Sequence, residues 1–455
     1  MNIVDKEILR IALPSIVTNI TVPLLGIVDL AIVGHLRQVE AIGAIAVGGL
    51  IFNMVYWLFN FLRMGSSGLT AQAYGRADID SIRRVLRMGL IVAATCGVLI
   101  IAIQRPMEWL SHLIIAPTAQ VWTLALAYFR VRIWAAPAVL ALFTMNGWLV
   151  GMQNSRSPLY IAVGQNVVNI AVSYWLVMQA GMGVEGVALG TVISQYVGLL
   201  AAWWLCRREL KLSTTLSTVT VDNSGSTRSP QPDVDKSAPF PLTYQQFFTV
   251  NGDIFLRMVC LIAVTTAFTA YGARMGDTLL AVNTLLMQLF TLFSYFCDGF
   301  ALAGEALVGK YFGLSQAASQ PRISPAVHGV VRRLFVWGVG VMSLFTLLYI
   351  TAGKGILGLL TNDALVVGAA EPYLWWAAAV PLCGVAAFIW DGVFCGLTAT
   401  RQMFFSLLVG AIVFFLLRWI LSRLMSDPND ALWLAFLSYL LIRGVVLAAF
   451  YRQKG

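Results

Sequence analysis

Charge is what this chain has least of. Asp, Glu, Lys and Arg make up 11% of its 455 residues, where soluble domains average about 25%. That scarcity, beside a hydrophobic share of 59%, argues against a soluble enzyme or binding module and predicts a polytopic membrane protein. Histidine is scarcer still: His35, His112 and His328 are too dispersed for a metal site. The cysteines (Cys96, Cys206, Cys260, Cys297, Cys383, Cys395) are scattered and show no C-x-x-C spacing. Neither zinc nor a disulfide framework is indicated, and they read as small core residues. Nucleotide sites are missing as well. GMGVEG at 181–186 fits G-x-G-x-x-G, but no strand precedes it, so it reads as a turn between spans. GEALVGKY at 304–311 fails as a P-loop because Tyr311 stands where Ser or Thr must bind magnesium. No cofactor is expected, and if the activity is transport it must draw on an ion gradient or be passive. The formal charge of +9 need not mean nucleic acid, since in a membrane protein the loop distribution of Lys and Arg accounts for it. No small-residue cleavage site follows a short apolar core near the start, so no removable signal peptide is expected.

What is present is a series of twelve apolar stretches, near 8–34, 42–64, 89–104, 121–150, 159–180, 184–206, 246–273, 278–303, 331–352, 366–396, 403–424 and 431–451. Most reach the twenty or so residues that cross a bilayer as a helix. Both termini and the even-numbered loops hold 19 of the 30 Lys and Arg, and the opposite loops hold 5. The positive-inside rule then places both termini in the cytoplasm, in a multi-pass protein of the cell's inner membrane. Ser, Thr, Pro and Asp dominate 211–241, which reads as a flexible cytoplasmic linker. The expected division is an N-terminal lobe at 1–208, a linker at 209–243 and a C-terminal lobe at 244–455. The halves resemble each other. AQAYG at 71–75 matches GKYFG at 309–313, RRVLRMG at 83–89 matches RRLFVWG at 332–338, and GWLVGMQNSR at 147–156 matches GVFCGLTATR at 392–401. The offsets are 238, 249 and 245 residues, in the same order among the spans. Six helices are duplicated in parallel, and repeat transporters bind substrate near the midplane between repeats.

Within the spans, the few polar residues carry the chemistry. Asp29 sits in an apolar run with no Lys or Arg between Arg10 and Arg37 to pair with it. A charge at mid-membrane costs about 2.5–3.5 kcal/mol on insertion scales and is a functional candidate by default. Pro14 and Pro23 precede it and predict a bent first helix. Asn166, Asn169 and Ser173 share one face of the fifth span, and Thr191, Ser194 and Gln195 one face of the sixth. They either surround Asp29 or bond the helices to each other. In the eighth span Thr284, Thr291, Asp298 and Glu305 recur every seven residues, with Gln288 and Tyr295 between them. Asn53 and Asn60 of the second span correspond to Thr291 and Asp298 at the 238 offset. Arg257 of the seventh span needs a carboxylate, so Asp298 and Asp391 are either its counter-ions or ion-coupling sites.

IALPSI and VDLAIVGHL in the first span, NGDIFLR in the seventh, DGFALAGEALVGKYFG in the eighth, DGVFCG in the tenth and IRGVVLAAF in the twelfth carry a family resemblance. The chain resembles the multidrug and toxic compound extrusion (MATE) transporters, in the DNA-damage-inducible protein F subfamily. The resemblance covers nearly everything outside 211–241. It implies an all-α fold of twelve transmembrane helices, in two pseudo-symmetric six-helix lobes around a central cavity. It also implies export of amphiphilic, often cationic compounds against inward proton or sodium flow. The family's first-span acid falls on Asp29, its bending proline on Pro14, and its polar partners on Asn169 and Thr191. Its second-lobe acids fall on Asp298, Glu305 and Asp391. Where many members carry a second acid four residues after that Asn, this chain has Ser173, which weakens a sodium site and favours protons. The expected partners are small organic molecules, protons and the bilayer, and the protein is expected to act as a monomer that is no enzyme. A lipid-linked oligosaccharide flippase of the same superfamily is the alternative. It calls for several cations in its cavity, and only Arg63, Arg130, Arg132, Arg257, Arg418 and Arg443 lie in spans.

The orientation is directly testable. Protease confined to the periplasmic side should leave 211–241 intact, whereas protease reaching the cytoplasmic side should cut there. Cleavage from the periplasm would reverse the topology.

Overall fold

A bilayer offers the backbone no hydrogen-bond partners, so each crossing must satisfy its own amides as a helix. The computed structural model describes residues 2–34, 39–115, 118–222, 243–318, 323–361 and 363–454, and among these no strand occurs. The first half comprises α1 (Ile3–Gly34), α2 (Val39–Leu58), α3 (Phe61–Gly75), α4 (Ile79–Ala102), α5 (Gln104–Ile115), α6 (Ala119–Arg132), α7 (Ala136–Gly151), α8 (Arg156–Met178) and α9 (Gly183–Asp222). The second comprises α10 (Tyr244–Ala273), α11 (Asp277–Ala317), α12 (Pro325–Leu360), α13 (Ala364–Ala370), α14 (Leu374–Gly396), α15 (Thr400–Leu424) and α16 (Pro428–Lys454). Eleven stretches of described residues are helical, long and apolar enough to cross a membrane. The helix α1 supplies a twelfth, since residues 11–34 carry no charge except Asp29.

Two spans are each assembled from two helices and a 3-10 turn. Ile133–Ala135 joins α6 to α7 just before Pro137, and Glu371–Tyr373, which contains Pro372, joins α13 to α14. Proline removes the amide that a continuous α-helix would use there. The α8–α9 connection holds Gly181 and Gly183 at φ 68° and 60°, so the G-x-G-x-x-G match is a turn. No long apolar run marks α5, because Arg105, Glu108 and His112 interrupt it. Glu108 is buried and accepts from Arg130 of α6 at 3.0 and 3.3 Å, while Trp109 and Leu113 are exposed. That two-sided character suits a helix lying in the membrane interface. The helix α9 continues to Asp222, into the stretch read as linker, and residues 223–242 lie outside the described residues, as do His35 and Arg37.

Contacts divide the chain into one unit of Met1–Ile16 with Phe248–Gly455 and another of Val17–Phe247. The division expected at 208 and 244 follows the repeat. The contact boundary instead falls inside α1, just after Pro14. The acids at the start of α1 account for this. Glu7 accepts from Lys310 Nζ at 3.1 Å and from the Tyr311 hydroxyl at 3.0 Å. Asp5 accepts from Trp337 Nε1 at 3.3 Å and pairs with Arg333 at 3.8 Å. Gly299 of α11 then lets Ile16 and the Ala12 carbonyl approach where a Cβ would clash.

The repeat is visible atom by atom. Gly147 and Gly151 of α7 lie against the backbone of α3, and a Cβ on either would strike the carbonyl of Arg63 or of Ser67. Gly392 and Gly396 of α14 lie in the same way against the carbonyls of Ala301 and Glu305 in α11. The glycines are related by the 245 offset and their partners by 238. Each is a G-x-x-x-G pair, which brings membrane helices to backbone contact. Both helices end identically. Asn154 N–H donates to Leu149 O at 3.0 Å and Ala399 N–H to Phe394 O at 2.9 Å, with Gln153 and Thr398 left-handed at φ 65° and 50°. This Schellman ending favours glycine, and neither half uses one.

Gly147→Ala and Gly392→Ala should each cost about 1–3 kcal/mol, because a backbone rather than a rotamer must yield. Gly164→Ala, with open space around the site, should cost nothing. Thermal unfolding in detergent, read from intrinsic fluorescence, separates the two classes.

Candidate functional site

The unit Val17–Phe247 contains Asp29, which is 4% exposed. Its surround comes from α8 and α9, whose polar residues at three- and four-residue spacing point the same way. Asn169 Nδ2 donates to Thr191 Oγ1 at 3.1 Å, and the Thr191 hydroxyl reaches the Val187 carbonyl at 3.0 Å. Thr191 also lies near the Asp29 carboxylate. Its single proton rests on the Val187 carbonyl. Asn166 Nδ2 donates to the Thr21 carbonyl of α1 at 2.9 Å and ties α8 to the helix that carries the acid. Gln165 and Gln195 bond at 2.9 Å and Ser194 bonds the Thr191 carbonyl at 2.8 Å. The two polar faces thus join α8 to α9 and also reach α1.

Several acceptor positions stand open. Asp29 Oδ1, Asn169 Oδ1 and the Ser173 hydroxyl are buried and have no hydrogen-bond partner among the described residues. Gly190 lets α9 approach Ser173 closely, since a Cβ there would strike its hydroxyl. The helix α1 runs unbroken through Pro14, which is half-buried, and Ser15 bonds the Ile11 carbonyl at 2.8 Å. Sequence spacing does not reveal a third contribution. Arg132, at the end of α6, is the cation whose field reaches Asp29. It donates to the Tyr128 hydroxyl and lies over the Phe52 ring, 5.2 Å from its centroid. The one available signal was an arginine inside the fourth span, just before its proline.

The second unit handles its charges differently. Arg257 of α10 and Arg443 of α16 both bond Asp391 Oδ2, the latter at 2.7 Å. All three residues are at most 7% exposed. Arg443 also donates to the Tyr439 hydroxyl at 3.3 Å. Asp391 thus pairs with Arg257, as the sequence alternatives allowed, and with Arg443 as an unanticipated third member. Along α11 the stripe grades from exposed Thr284 and Gln288, through half-buried Thr291, Tyr295 and Asp298, to buried Glu305. Thr284 and Thr291 bond their own helix at the Leu280 and Met287 carbonyls, 2.7 and 2.8 Å away. At the repeat offsets the first unit has Asn19 for Arg257 and Asn146 for Asp391. Among the described residues no group of three His, Cys, Asp or Glu is placed to hold a metal ion.

Known proteins are similar to this chain in sequence and in fold. The family model described as MatE matches residues 14–175. The DNA damage-inducible protein F of Escherichia coli (strain K12) is 36% identical over 99% of this chain and 92% of its own length. The chloroplastic Protein DETOXIFICATION 44 of Arabidopsis thaliana is 25% identical over 87% of this chain and 72% of its own. Among solved structures, MATE in the bent conformation superimposes with a TM-score of 0.81 at 16% identity, covering 99% of this chain and 95% of that one. A MOP superfamily transporter from Pyrococcus furiosus superimposes with a TM-score of 0.78 at 17% identity, covering 99% and 95%.

Removing Asp391 leaves two buried guanidinium groups without their carboxylate, a class of change that costs about 3–5 kcal/mol. Asp391→Asn should therefore lower the folded yield in size-exclusion chromatography, and Asp391→Asn with Arg443→Leu should recover part of it. Full yield from the single variant with lost transport would make Asp391 a transport residue instead.

Proposed function

This chain belongs to the MATE family of efflux transporters, and from that premise we propose that it exports amphiphilic organic compounds across the inner membrane in exchange for protons, with Asp29 as the exchange site. Both termini then lie in the cytoplasm. The observation that carries the proposal is a buried carboxylate, Asp29, beside the bonded pair Asn169 and Thr191, with its Oδ1 unbonded among the described residues. Burial disfavours the charged form, and hydroxyl and amide donors favour it. An acid held between the two changes protonation without new side chains being recruited.

Neutralising Asp29 removes a charge whose burial costs a few kcal/mol. That shifts a two-state equilibrium by roughly one to two orders of magnitude. In the proposed cycle, protonation from outside neutralises Asp29, and α1 re-packs about Pro14. Substrate then loses its partner and leaves outward. Return to the inward-facing state carries the proton to the cytoplasm. Ser173, in place of a second acid, leaves Asp29 the one titrating carboxylate of this polar group and favours protons over sodium. The flippase reading is weaker, because Arg132, Arg257 and Arg443 are already engaged by Tyr128 and Asp391.

In proteoliposomes, an imposed proton gradient should drive dye export by the wild type, and a sodium gradient should not. Asp29→Asn should insert and fold yet lose at least tenfold of the proton-driven rate. Pro14→Ala should slow transport and leave substrate-induced proton release intact. Undiminished proton release from purified Asp29→Asn would transfer the role to another acid, with Glu305 first in line.

A further inference from the structure

The loops opposite the cation-rich ones hold only 5 of the 30 Lys and Arg. In one of them, Arg105 of α5 converges with Arg130 of α6 on a single carboxylate. Glu108 is buried and accepts from Arg130 Nε at 3.0 Å, from Arg130 Nη2 at 3.3 Å and from Arg105 Nη1 at 3.4 Å. Among the described residues neither arginine pairs with a second acid, so the cluster carries one surplus positive charge. Its cationic edges are open. The Arg105 side chain is 75% exposed and that of Arg130 46%. Arg130 Nη1, and Nε and Nη2 of Arg105, remain for a further acceptor.

The depth of the cluster follows from the helix before it. Residues 88–104 carry no charge, and that length of helix rises about 26 Å, close to the roughly 30 Å of a hydrocarbon core. Arg105 therefore stands at the level of the headgroups. Glu108 and His112, one turn apart, both reach α6, where the His112 and Trp122 rings lie 4.7 Å apart. Trp109 and Leu113, one position further round, are exposed, as is Leu110. The helix α5 thus turns its acid onto α6 and an apolar face outward. Arg105 stands at the edge between the two, three residues from Glu108 and four from Trp109.

We propose that Arg105 and Arg130 form a site for one anionic phospholipid, held by its phosphate while its acyl chains lie along Trp109 and Leu113. Guanidinium groups match phosphate oxygens in geometry and in charge. One singly negative headgroup cancels the surplus charge of the cluster. A zwitterionic headgroup brings its own ammonium and leaves the surplus in place. Glu108 acts as a positioning residue, since it fixes both guanidinium groups and takes no part in the contact. The exposed Trp109 suits the same depth, where tryptophan rings sit at the membrane interface.

Native mass spectrometry of the full chain, with phosphatidylglycerol or phosphatidylethanolamine of the same acyl chains added, gives the relative affinities. The wild type should bind one phosphatidylglycerol about tenfold more tightly than phosphatidylethanolamine. Arg105→Gln and Arg130→Gln should each lower that preference about fivefold, the weight of one cation near an anionic surface, and together should abolish it. Arg105→Lys should keep most of it. Glu108→Gln, which removes the competing negative charge, should strengthen phosphatidylglycerol binding about fivefold. If that variant does not fold, the variants of the exposed Arg105 decide the matter. Equal affinity for the two lipids in the wild type overturns the site, as does weaker phosphatidylglycerol binding in folded Glu108→Gln. Arg423, exposed at the end of α15 and stacked on Trp419 at 4.1 Å, is the control. An equal loss in Arg423→Gln would reduce the effect to net charge and also overturn the site. Inorganic phosphate should not displace the lipid, and displacement would leave an anion site without a lipid.

Discussion

The cost of a bare charge in hydrocarbon governs this molecule. A lipid-facing ion is expensive and a lipid-facing amide nearly so, so every intramembrane charge must be turned inward and given company. The two units meet that demand in opposite ways. One surrounds a single carboxylate with hydroxyls and amides, and its cation is engaged by a phenol and aromatic rings. The other collapses two guanidinium groups onto one carboxylate. The first arrangement is the one proposed to gain and lose a proton. The second breaks if any member changes charge. In the proposed function, chemistry and support are thereby divided between halves that share an architecture.

The positions that differ make the division concrete. Where the second unit has Arg257 and Asp391, the first has Asn19 and Asn146. Where the second has Glu305 against its close-packed glycine, the first has Ser67. A duplicated frame has thus been given ions in one copy and neutral amides or hydroxyls in the other. The copy with the neutral residues at these positions hosts Asp29, the proposed exchange site.

Much of this was legible beforehand. Twelve apolar runs and three weak internal matches specified the spans and the repeat, because a membrane crossing writes its length directly into composition. Asn169 and Thr191 were found by helical spacing, which is a local rule. Arg443 was not tied to Asp391, because those partners lie on different spans and no periodicity links them. The helix α5 was missed because Arg105, Glu108 and His112 interrupt its apolar residues. The helical extension of α9 was missed because its Ser and Thr favour loops only on average.

The paired glycine contacts have an evolutionary consequence. At Gly147 and Gly392 the helices touch main chain to main chain, so the geometry there depends on the absence of a side chain and on little else. Neighbouring residues can drift without altering how the helices cross. A frame built on such contacts tolerates wholesale replacement of its surfaces, which fits a close superposition on solved transporters that share only 16% of their residues with this chain. It also leaves a lineage free to re-line its interior for new cargo while the scaffold stays still.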